Sequence, residues 1–140
     1  MPTFFRGYLL VALVLSLLMA GPARSEETVQ IVLESTSYAL TLEQTAAAQA
    51  FAGLLPLTLT MQELNGNEKY ARLPRPLPHK DEAVGYVRAG DLMLFGKDCL
   101  VLFYKSFATN YRYTRLGRLN NPTDLARIVG SQSIDVTIHP

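Results

Sequence analysis

Residues 26–140 predict a mainly β fold: a closed β-barrel of about eight strands capped by two helices. Three observations carry that expectation. The runs Leu92-Met93-Leu94-Phe95 and Cys99-Leu100-Val101-Leu102-Phe103-Tyr104 are each of strand length and are split by Gly96-Lys97-Asp98, which reads as a hairpin turn. Neither run alternates apolar with polar, so both of its faces must be covered, one by a barrel interior and the other by a roof of helices. Elsewhere short alternating runs are interrupted by only two helical patterns, one after an opening hairpin and one before the last strand.

The N-terminus stands apart from that domain. Arg6 supplies a positive start, Tyr8 to Ala20 is an almost unbroken apolar run, and Gly21-Pro22 precede Ala23-Arg24-Ser25, a small-x-small cleavage pattern. The run is shorter than the roughly 20 residues that span a bilayer, so residues 1–25 read as a cleaved signal peptide rather than a stable membrane anchor. The expected product is exported, either periplasmic or secreted. Removing Arg6 and Arg24 from the 13 basic residues leaves 11 against 12 acidic ones. That balance offers no long-range attraction for nucleic acid or an anionic membrane. Cys99 is the only cysteine, so no internal disulfide forms, and about 115 residues must hold together by their own core. Inside an apolar hairpin it reads as a small hydrophobe.

Along the domain, Val29 to Leu33 and Ser37 to Leu42 are strands joined by polar Glu34-Ser35-Thr36, the second with Tyr38, Leu40 and Leu42 on one face. Thr45 is a helix N-cap ahead of an alanine run, with Phe51, Leu54 and Leu55 on the core side and Pro56 as the stop. Leu57 to Met61 alternates apolar residues with Thr. Asn65-Gly66 supplies a tight reversal before the short strand Tyr70 to Leu73. Three prolines from Pro74 to Pro78 favour an extended, exposed loop. Tyr111, Tyr113 and Arg115 share one face of the next strand. A second helix is marked by Asn121 as N-cap, Pro122 at its first position and Gly130 beyond its end. Ile134 to Ile138 closes the chain.

That order, with Leu54-Leu55-Pro56-Leu57-Thr58-Leu59-Thr60-Met61, Glu63 to Tyr70, Ala89 to Leu94 and Tyr113 to Leu119, resembles the small prokaryotic cyclophilin-like domain family over Val29 to Ile138. The resemblance implies a cyclophilin-like barrel of eight strands with a helix over each end, and it leaves the biochemical role open. True cyclophilins isomerise X-Pro bonds, whose barrier of about 18–20 kcal/mol comes from amide resonance. Tyr70-Ala71-Arg72-Leu73 is similar to the Phe-His-Arg-Ile segment that carries the cyclophilin arginine, which makes Arg72 the one catalytic candidate. The family's Phe-Met-x-Gln-Gly-Gly-Asp run does not follow. Pro74-Arg75-Pro76-Leu77-Pro78 stands in its place.

The other constellation is aromatic and basic: Tyr104, Lys105, Phe107, Tyr111, Tyr113, Arg115 and Arg118, together with Tyr70 on the earlier strand. Such residues can stack on prolines, sugar rings or bases, and they are also ordinary outer-face residues of a barrel with apolar stems and polar tips. Asn65, Asn67 and Glu68 can grip a ligand from a loop, although Asn-Gly is first a turn requirement. His79 and His139 lack partners at ligand spacing, so no metal site is expected, and nothing in the sequence calls for a cofactor. Nucleophile-elbow and phosphate-loop motifs are missing. The expected function is a non-catalytic module for a peptide or small-molecule ligand. The alternatives are a weak peptidyl-prolyl isomerase using Arg72, or a structural partner in an envelope assembly that uses the Pro74 to Pro78 segment. The sequence leaves the oligomeric state open.

Overall fold

A computed structural model describes residues 26–140, and the segment read as a signal peptide, 1–25, lies outside the described residues. The chain opens with β1 (Thr28–Leu33) and β2 (Thr36–Leu42), followed by α1 (Ala46–Ala52), β3 (Leu57–Leu64) and β4 (Glu68–Arg72). Two short pieces come next, β5 (Glu82–Ala83) and β6 (Tyr86–Val87). The central hairpin is β7 (Asp91–Phe95) and β8 (Cys99–Phe103). Then come β9 (Phe107–Ala108), β10 (Arg112–Leu119), α2 (Leu125–Val129) and β11 (Ile134–His139).

Eight of these strands close on themselves in the order β2-β1-β11-β3-β4-β8-β7-β10, and β10 pairs back with β2. All the pairings are antiparallel. Closure removes the sheet edges, and alternation sends every second side chain inward. The interior is filled by Ile31, Leu40, Met61, Leu92, Leu94, Leu100, Leu102 and Val136, which have essentially no exposed surface. Thr45 caps α1 by accepting a bond from the Ala48 N–H at 3.2 Å, and Phe51 enters the core. Because α1 leads into Leu57 and α2 leads into Ile134, and Leu57 pairs with Ile138 while Ile134 pairs with Met61, the helices stand at opposite ends of the β3–β11 ladder. The expectation of a closed barrel of eight strands capped by two helices holds.

Three details differ from the sequence reading. The second helix starts at Leu125, because Asn121 and Asp124 both take left-handed backbone conformations (φ 49° and 58°) and the Thr123 N–H folds back to the Asn121 carbonyl at 2.7 Å. Gly130 does end it. The Pro74 to Pro78 loop is tethered, since Leu77 is buried and its N–H bonds the Lys97 carbonyl at 2.8 Å. Among the described residues, no helix roofs the outer face of the central hairpin. Val87 of β6, Phe107 of β9 and Tyr113 of β10 pack there on Met93, Val101 and Phe103 as a second, smaller apolar cluster.

Candidate functional site

Beside that second cluster the outer wall of the barrel is open. Register fixes which residues reach it: Glu68 lies opposite Phe103, Tyr70 opposite Val101, Arg72 opposite Cys99, and Phe95 opposite Cys99 from the other side. These face outward, whereas Lys69, paired with Leu102, and Ala71, paired with Leu100, point into the barrel. The result is a groove of about 310 Å³ floored by Val101 and Cys99 and walled by Tyr70, Phe95, Tyr111 and Tyr113. Leu64 and Asn65, at the β3–β4 turn, close one end. Asn65 and Gly66 hold that turn with positive φ values of 56° and 67°, as an Asn-Gly reversal requires.

The aromatic walls support each other. The Phe95 ring meets Tyr111 edge-on at 6.1 Å and Tyr113 at 5.7 Å, and Tyr113 meets Phe103 edge-on at 5.3 Å. Such edge-to-face pairs are favoured by the ring quadrupoles. Thr109 accepts the Tyr111 N–H at 3.1 Å and bonds the Tyr113 side chain, fixing both tyrosines from one loop position. Burial and the neighbouring Glu68 charge push the Tyr113 hydroxyl up to about 12. Three of the rim residues, Leu64, Phe95 and Tyr111, are exposed large hydrophobics, with Tyr111 at 67%.

Among the described residues, Glu68 is the only charged side chain lining this groove. It retains 8% of its surface, and no described residue hydrogen-bonds or ion-pairs with its carboxyl. Burial and then the Glu63 charge raise its pKa above the ordinary carboxyl value.

Of the residues expected from sequence to bind, Asn65, Tyr70, Tyr111 and Tyr113 come together here. Tyr104 is buried at one end of the barrel, where its hydroxyl donates to Glu63 and the Lys69 ammonium lies 5.2 Å from its ring centre. Asn67 accepts the Tyr104 N–H with its carbonyl at 3.0 Å, and its side-chain oxygen is buried without a partner. Phe107 sits in the β6–β9 ribbon and packs on Phe103 at 5.7 Å. Arg115 opens onto separate recesses beside Glu43. Arg72 faces solvent, with its side chain 80% exposed and paired to Asp98 at 3.2 Å, and it does not line the groove. The apolar run by itself reads Phe95 as barrel wall, whereas alternation outward from Met93 puts it at the surface, where it lies.

Comparison with known proteins agrees with this architecture. The model of the Cyclophilin-like family matches residues 31–139, and the chain belongs to that family. A search of curated proteins finds no match. Among solved structures, the chain is similar to the solution structure of a hypothetical protein from Archaeoglobus fulgidus. The two are 20% identical with a TM-score of 0.56, over 85% of this chain and 98% of the other. At that identity the likeness concerns the fold.

Proposed function

We propose that this protein is an exported, non-catalytic cyclophilin-like module that binds a peptide or small ligand in the groove on its outer barrel wall. The observation that carries this reading is the convergence of four aromatic rings, from β4, β7, β10 and the residue before β10, around a concave apolar floor with an exposed rim. A soluble domain leaves such rings open at a surface when something lies against them. Isomerase chemistry gains no support from Arg72. Its guanidinium is engaged with Asp98 in solvent, away from the groove where a prolyl ring would be gripped.

Amide chemical shifts of the isotope-labelled protein, titrated with short proline-containing, aromatic and basic peptides and with small amines, test the reading. Perturbations should cluster at Tyr70, Phe95, Tyr111 and Tyr113. Tyr111→Ala should weaken any binding by about tenfold, the loss of one stacking contact worth on the order of 1.4 kcal/mol. It should leave the melting temperature nearly unchanged, because that ring is exposed. A groove that stays silent to every probe removes the proposal.

A further inference from the structure

The groove's unmet charge defines its ligand more closely, and this inference rests on the binding reading above. We infer that the groove takes an alkylammonium group, its N–H donors bonding the Glu68 carboxylate and its carbon stem lying between Tyr70, Phe95, Tyr111 and Tyr113.

Three independent features of the site converge on that class. Glu68 is more than nine-tenths buried, lines the groove and has no partner among the described residues. The residue as a whole is buried, yet its carboxyl oxygens are not sealed in the wall; they open onto the groove with no protein donor, where a donor arriving from outside can meet them. The nearby basic groups do not serve it. Lys69, its neighbour in sequence, points through the wall and bonds Glu63 and the Gly130 and Gln132 carbonyls at 3.1, 2.9 and 2.5 Å. Arg72, four residues along on the same face, is turned to Asp98. The walls are aromatic rings, whose faces attract a cation and also cover an aliphatic stem. Finally, a groove of about 310 Å³ is at the small end for ligand sites, with room for about ten waters at roughly 30 Å³ each. An aliphatic chain of lysine length fits within it. Free amines and the lysine side chain of a peptide share this chemistry.

The test titrates the protein with butylamine, with an acetylated and amidated glycyl-lysyl-glycine, and with their uncharged counterparts, butanol and the norleucine peptide, following amide shifts and calorimetry at neutral pH. Either ammonium probe should perturb Glu68, Tyr70 and Tyr113 and bind at least tenfold more tightly than its counterpart. A preference for butylamine assigns a free amine as the source, and a preference for the peptide assigns a lysine residue. Glu68→Gln should reduce that discrimination about tenfold while keeping the fold, as read by an unchanged amide spectrum away from the groove. Binding of charged and uncharged probes with equal affinity, or unaltered discrimination in Glu68→Gln, overturns the ammonium assignment but leaves the binding groove standing. Silence toward all four probes overturns the ammonium assignment. Silence toward the wider peptide panel as well takes the binding reading with it.

Discussion

Strand alternation sets Glu68 and Lys69 back to back on β4, one in the outer groove and the other inside the barrel end. Lys69 has no exposed surface, yet its ammonium is satisfied by Glu63, two backbone carbonyls after α2, and the face of Tyr104. Burial works against the Glu63 carboxylate, but hydrogen bonds from Tyr104 and Lys69 outweigh it and hold its pKa below the ordinary value. Removing the lysine strands all of these acceptors. Lys69→Ala is therefore expected to cost about 3 kcal/mol, the low end for breaking a buried ion pair, seen as a lowered denaturant midpoint with an unchanged slope. Glu68 behaves in the opposite way. Its raised pKa means that folding favours the protonated form, so its contribution is fully present below the unfolded carboxyl value and is lost as pH rises through the folded one. Glu68→Gln should thus be more stable than the parent at neutral pH, by on the order of 1 kcal/mol. Melting curves of the two should converge once the pH falls below about 4, the ordinary glutamate range. A residue kept at a cost to stability fits a binding role better than a structural one.

Among the elements, β10 does the most to shape the molecule. It pairs with β5 at its start, with β7 from Thr114 to Arg118 and with β2 from Gly117 to Leu119, and its register against β7 shifts between Arg115 and Gly117. That bulge lets one strand turn the corner that closes the barrel. Gly117 sits at the crossing, where an added Cβ would come within 2.6 Å of the Thr41 carbonyl oxygen. Because the obstacle is backbone, the strands themselves must part. Gly117→Ala is expected to cost about 1–3 kcal/mol, as overpacking does. Hydrogen exchange should accelerate first in the amides that pair Gly117 to Leu119 with Leu40 to Leu42. The element-level misses have local causes. Asn121 and Pro122 look like a helix start, but the left-handed backbone at Asn121 and Asp124 spends those residues on a turn. A doubly apolar strand shows only that something covers each face of the central hairpin, and on the outer face β6, β9 and β10 supply that cover in place of a helix.

At the scale of the whole molecule, the strand count, the two capping positions and the barrel class were legible from residues alone, since each rests on short-range periodicity and on turn and cap chemistry. Leu40 and Leu42 announce themselves as core by alternation, and they are core. The groove was half legible. Tyr70, Tyr111 and Tyr113 stood out as candidates, but nothing local separates them from Tyr104, which points inward to Glu63, or from Phe107, which roofs Phe103. The residues that meet in the groove come from β3, β4, β7, β8 and β10 and from the turns beside them, segments up to about fifty residues apart. The sequence by itself determined which segments become strands and which face of each is apolar, because strand propensity and alternation act between near neighbours. Only the tertiary structure decided that Glu68 faces a ring of aromatics while Lys69 seals the barrel, and that Arg72 stands outside both. Those assignments depend on strand order and register, which are set when the sheet closes on itself.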